Sequence, residues 1–202
     1  MLAGLAYGGQ ADDGDWLRRL QERFDATRSF RARFVQEYVP QGFSRPQREG
    51  GVVTFRRPGR IRWEYEWPER KLAVCDGTRV WIYYPQEQRA EVEPLAAFDD
   101  GAPAVQILLG RWKLWERFRL TALERHGAEL TLHLEPTPEL SYLSEVRLSV
   151  ASADLTLRAL EAVEPGGNVL RYLFEDWQEG IDAPEELFRF QPPAGTRLEG
   201  QP

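Results

Sequence analysis

Cysteine is nearly absent from this chain: Cys75 stands alone among 202 residues, beside a single Met and two His. No intrachain disulfide and no cysteine-rich metal site can therefore be built. Such a chain suits the cytoplasm, or an oxidising compartment where stray thiols are avoided. Long apolar runs are lacking too, and none approaches the roughly 20 residues that a membrane-spanning helix needs. Positive charge is outnumbered, with 26 Lys and Arg against 32 Asp and Glu and a net charge of -6. That balance is poor for a general nucleic-acid binder, and no nucleic-acid partner is expected.

Catalytic signatures are missing as well. His126 falls in a glycine-containing turn and His133 on the polar face of a strand pattern. No HExxH, no Ser-His-Asp order in a suitable context, no phosphate loop and no dinucleotide fingerprint occurs. Gly166-Gly167 reads as a hairpin turn, and Cys75 as a small buried hydrophobe within a strand. No catalytic centre, metal or cofactor is expected.

Aromatic residues are abundant, with seven Trp, seven Tyr and ten Phe. From Arg60 onward Ile61, Trp63, Tyr65 and Trp67 alternate with Arg60, Arg62, Glu64 and Glu66. Strand side chains repeat every second residue, so one face is a wall of rings and the other a row of charges. The charged row reads as a solvated ladder. The wall must be covered, by another element of the protein or by an apolar ligand.

Period-two segments recur along most of the chain, separated by turn signals such as Pro58-Gly59, Asp76-Gly77 and Pro165 to Asn168. About ten or eleven antiparallel strands are expected, interrupted by a few short helices, in one curved sheet or barrel. Trp16, Leu17, Leu20 and Phe24 share a helical stripe between about Asp15 and Thr27, suited to lying on a sheet. Pro103 opens a second short helix whose apolar face is Val105, Leu108 and Leu109, with Gly110 as its stop. Residues 12–202 are expected to form one domain. The start, 1–11, reads as a signal-peptide remnant or leader, although a basic n-region is missing.

Several segments carry a resemblance to one family. They are Phe34-Val35-Gln36, Gly51 to Phe55, Arg57-Pro58-Gly59-Arg60-Ile61-Arg62-Trp63, Asp76-Gly77 followed by Trp81 to Pro85, and Phe188 to Thr196. In this order, across about Asp15 to Leu198, the chain resembles the outer-membrane lipoprotein carriers, LolA. The resemblance implies a half-barrel covered by a lid of short helices, with an apolar space for lipoprotein acyl chains. It also implies a periplasmic shuttle working as a monomer between an inner-membrane ABC exporter and an outer-membrane receptor lipoprotein. The cavity lining is then expected from Phe34, Val53, Phe55, Ile61, Trp63, Tyr65 and Val74. The position matching Ile61 is often aromatic in the family, so Ile departs in size. Val105, Leu108 and Leu109 become the lid, and Arg57 matches the Arg that bonds to the lid and holds it closed. On the residues alone, ordinary core is the favoured reading of the three apolar side chains, and a surface ion pair that of Arg57.

A second class of function stays open. Related half-barrels occur in periplasmic regulators of envelope stress, which sense lipid or bind a partner protein and carry an additional domain. The outer-membrane receptor shares the fold too, but it needs a lipidated cysteine that these residues do not supply.

Overall fold

The computed structural model describes residues 13–98 and 103–200, so the expected leader lies outside the described residues. The alternating segments form β1 (Ser29–Val39), β2 (Gln47–Arg56), β3 (Arg60–Trp67), β4 (Lys71–Cys75), β5 (Arg79–Tyr84) and β6 (Arg89–Pro94). After the helical interruption come β7 (Phe118–His126), β8 (Glu129–Pro136), β9 (Glu145–Ala151), β10 (Leu157–Val163), β11 (Val169–Glu179) and β12 (Arg197–Gly200). All twelve belong to one sheet, in the order β12-β6-β5-β4-β3-β2-β1-β11-β10-β9-β8-β7. The sheet is unclosed, with β12 and β7 at its edges.

Neighbours pair antiparallel, except that β12 runs parallel to β6. This last strand was not anticipated. Its four residues are all exposed, held by the backbone ladder to β6 and by an ion pair of Glu199 with Arg89 at 3.5 Å, so no hydrophobic pattern marks them.

Three α-helices lie among the described residues: α1 (Asp13–Ala26), α2 (Pro103–Leu108) and α3 (Leu114–Arg117). The sheet bends where β2 crosses β3. The pairing shifts between Gly50 and Gly51, and a Cβ on Gly51 would overlap the Glu64 carbonyl oxygen. A Cβ on Gly50 would run into the Trp67 indole, so only glycine permits this approach of backbones.

The concave face carries the main core. Leu and Val dominate it on β7 to β10, and aromatic side chains on β1, β2, β3 and β11. The convex face departs from expectation, because the charged row of β3 is not simply solvated. Arg62 donates to the Leu187 carbonyl at 3.1 Å, Arg56 donates to the Ala183 carbonyl at 2.9 Å, and Arg60 pairs with Glu185 at 3.5 Å. These contacts pin the segment 181–190 across the outside of the sheet. Beneath it Phe188 and Ala183 bury Val74 in a second, smaller core.

Farther round the convex face, charges of alternating sign cross the strands. Arg48 and Arg171 flank Glu37, Arg171 and Arg147 flank Glu161, and Arg147 reaches Glu145. His133 then links Glu145 to Glu124. Glu37 and Glu161 are buried, so each carboxylate depends on the arginines on both sides.

Two expectations follow for stability. Phe188 is fully buried in a satellite core with few members, so Phe188→Ala should cost about 3–5 kcal/mol in urea unfolding and expose 181–190 to protease. A nicked but equally stable variant would separate this cover from the sheet's stability. The Arg147 guanidinium, with His133 second, holds the Glu145 carboxyl below its ordinary value of 4.5. A depressed carboxylate adds stability above its unfolded pKa and loses it as pH falls through the folded one. The melting temperature should therefore fall below about pH 4.5, and less steeply in Glu145→Gln. Parallel curves for the two proteins would remove Glu145 from the acid response.

Candidate functional site

The concave wall is graded along β3. Ile61 and Trp63 are 2% and 5% exposed, while Tyr65 is only partly covered and packs on the same cluster. Because Ile61 pairs with Cys75 and Trp63 with Ala73, these side chains share one face. Phe34 meets Trp63 and Tyr65 edge-on, with ring centroids 4.6 and 5.0 Å apart. Tyr172 and Phe174 of β11, beyond β1 in the sheet, also reach Trp63, at 5.3 and 6.3 Å.

Beyond Trp63 the wall turns polar. The Tyr65 hydroxyl donates to Gln36 at 2.8 Å, and Lys71 bonds to Glu49 at 2.9 Å while lying over the Tyr65 ring. Burial pushes the Tyr65 and Tyr172 phenols well above their ordinary value, so both stay neutral at any physiological pH.

Helices pack on the same core cluster, α1 against β7 and α2 against β10. From α1, Leu17 and Leu20 enter the core. From α2 and the residue after it, Ile107, Leu108 and Leu109 are between 1% and 7% exposed. Val105 packs partly buried on the same cluster. Gln106 is fully buried among them, its Nε2 donating to the Phe98 carbonyl at 2.7 Å while its Oε1 finds no partner among the described residues. An apolar helix with one badly satisfied amide is a cover held with little surplus.

Arg57 sits where the cover meets the sheet. It donates to the Phe24 carbonyl at 2.7 Å and the Thr27 carbonyl at 3.1 Å, satisfying the C-terminal end of α1. Its guanidinium also bonds to Asp25 at 3.2 Å, and Asp25 takes a further bond from Lys113 at 3.1 Å. Gly110, which ends α2 with a φ of 66°, packs so closely that a Cβ there would lie 2.8 Å from Arg57 Nη1. One turn back on α1, the buried Gln21 accepts the backbone N–H of Leu114 at 3.0 Å.

The expected bond from Arg57 to the lid helix is thus differently arranged. Its hydrogen bonds run to α1, and it meets the lid through the surface of Gly110. Gln21, Asp25, Gly110 and Lys113 were not singled out as site residues. Polar residues on an amphipathic helix read as its solvent face, and only Gly110 had a signal, as a helix stop.

Of the seven expected lining residues, Phe34, Val53, Phe55, Ile61, Trp63 and Tyr65 share the concave face. Val74 does not. It pairs with Arg62, so it faces outward onto Phe188, and its neighbour Cys75 takes the inward position. Burial pushes the Cys75 thiol up, as suits a packing residue and not a nucleophile. An open cleft of about 590 Å³ lies elsewhere, between α1, α3, β7 and β8, and none of the seven borders it. Ile107, buried beside Leu108 and Leu109, was not among the expected lid residues because it falls outside the i, i+3, i+4 face of Val105, Leu108 and Leu109. Among the described residues no helix is long and apolar enough to cross a membrane.

Comparison with known proteins agrees with this architecture. The family model of the outer membrane lipoprotein carrier protein LolA matches residues 25–191. The outer-membrane lipoprotein carrier protein of Dechloromonas aromatica is 30% identical over 203 residues, covering 100% of this chain and 92% of that one. Among solved structures, an uncharacterized conserved protein of Thermus thermophilus superposes with a TM-score of 0.59 at 13% identity, over 93% of this chain and 98% of that one. MucB superposes with a TM-score of 0.52 at 21% identity, over 91% of this chain and 64% of MucB. Both likenesses are of fold alone. Family model and sequence identity together settle the lineage: the chain belongs to the outer-membrane lipoprotein carrier family, LolA.

Proposed function

We propose that this protein is a periplasmic chaperone that takes the acyl chains of a lipoprotein into its concave interior and carries them from the inner to the outer membrane. An inner-membrane ABC exporter would load it, and an outer-membrane receptor lipoprotein would unload it. No chemical step is required, only binding and release. The observation that carries the reading is an aromatic wall on β1, β3 and β11 that shares one core with two helices meeting at Arg57.

Magnitudes favour a reversible carrier. A dozen buried methylenes are worth on the order of 10 kcal/mol before entropy costs. Returning Ile107, Leu108 and Leu109 to the same wall recovers roughly 5–9 kcal/mol. The two occupants nearly balance, so loading and release need no large input. On this reading Phe34, Val53, Phe55, Ile61, Trp63 and Tyr65 line the acyl site, Val105, Ile107, Leu108 and Leu109 form the lid, and Arg57 is the latch. The second reading is a periplasmic lipid-sensing or envelope-stress regulatory module of the same fold. It would move forward if the purified protein took up no acylated ligand.

Uptake of a synthetic lipopeptide tests the interior. Ile61→Glu, which sets a carboxylate in the wall, should weaken uptake at least about tenfold while the far-UV spectrum stays native. Ile61→Phe should retain uptake. Full binding by the Glu variant would take Ile61 out of the acyl site. Arg57→Leu removes charge-assisted bonds to α1, worth about 1.5–3 kcal/mol, and with them the surface on which Gly110 of the closed lid rests. It should load normally and hand cargo to an acceptor on the order of ten times more slowly. Transfer at the normal rate would remove the latch.

A further inference from the structure

We propose that the indole N–H of Trp63 is the donor for the carbonyl oxygen of a bound chain, so that the interior selects acyl chains over plain alkyl chains and fixes how deep they sit. The inference rests on the carrier reading above. Trp63 is 5% exposed, yet its Nε1 is buried with no hydrogen-bond partner among the described residues. An orphaned donor in a closely packed interior is costly and uncommon, so its presence asks for a reason. Indole offers one donor and no acceptor. Its complement is an oxygen that accepts and does not donate, and every ester- or amide-linked acyl chain has one.

Position supports the same assignment. Trp63 stands on β3 where the wall changes character. On one side are Ile61 and Phe55, wholly apolar and near the Arg57 junction. On the other are Tyr65 bonded to Gln36 and Lys71 bonded to Glu49. An acyl ligand has the same order of parts: a long apolar tail, then a carbonyl, then a polar head. Laid along β3, the tail covers Ile61, the carbonyl reaches Trp63, and the head emerges over Gln36, Glu49, Tyr65 and Lys71. Trp63 belongs to the fixed sheet and not to the moving cover, so the donor keeps its place when α2 leaves.

The test compares two synthetic lipopeptides that differ only in ester- or ether-linked chains, each titrated into the full-length protein and into Trp63→Phe. The ester-linked ligand should bind wild type about five- to tenfold more tightly, the range expected of one buried hydrogen bond. Trp63→Phe should bring the ratio to about one, whatever its packing costs both ligands alike. Equal binding by wild type, or a ratio that persists in Trp63→Phe, would overturn the assignment. Failure of both ligands to bind wild type would sink the carrier reading and this inference with it. Should the variant fail to fold, indole ¹⁵N–¹H spectra of wild type decide. One of the seven Trp signals should move downfield with the ester ligand only, and no such movement would refute the proposal.

Discussion

The contact on which the rest of this structure depends is the Arg57 guanidinium against the C-terminal carbonyls of α1. A sheet with two free edges cannot shield its own concave face, so the helices must supply the missing wall. α1 is anchored by Leu17 and Leu20, but its last turn presents carbonyls with no intrahelical donor. Arg57, at the start of the β2–β3 turn, donates to the Phe24 carbonyl in that last turn and to the Thr27 carbonyl just past it, and ties the helix end to the strand that leads into the aromatic wall. Gly110 packs on the same guanidinium, so the end of α2 rests on the contact between α1 and Arg57.

That arrangement makes the cover conditional. Asp25 joins Arg57 of the sheet to Lys113 beyond α2, and Gln21 holds the first N–H of α3. Both bonds fix the C-terminal side of the cover to α1. The α2 segment between is held by apolar burial, less the cost of Gln106, whose buried oxygen lacks a partner among the described residues. Such an oxygen costs about 1–3 kcal/mol, a sizeable part of what three buried aliphatic side chains return. A cover tied firmly at one end and weakly along its length is suited to being displaced without being lost.

Much of this was legible in the residues, and the failures have physical causes. The alternation in 60–67 identified the wall because one face of β3 is apolar and the other charged. The same logic failed at Val74. In Lys71–Cys75 every residue after the lysine is apolar or small, since both faces of β4 are covered, and parity cannot be read where neither face is polar. The cover over the convex face was invisible for a related reason. Its grip on β3 runs through backbone carbonyls at Ala183 and Leu187, which no side-chain pattern reports. The ladder from Arg48 to Glu124 needed the strand order, because Glu37 and Arg171 meet only once β11 is placed beside β1.

The two faces of the sheet divide the work. On the convex side, paired charges and the 181–190 segment link β2 to β7 and brace β3 and β4, and none of these contacts involves the helices of the cover. Stability invested there is independent of what occupies the concave side. Away from the bonds at Arg57, Asp25 and Gln21, the concave side makes the opposite choice: directionless apolar contacts that a helix or an alkyl chain satisfies about equally well. On the carrier reading the interior opens and closes without unfolding, and this separation serves it. Were the charges inside and the apolar cover outside, each opening would break directional bonds instead of exchanging one hydrocarbon surface for another.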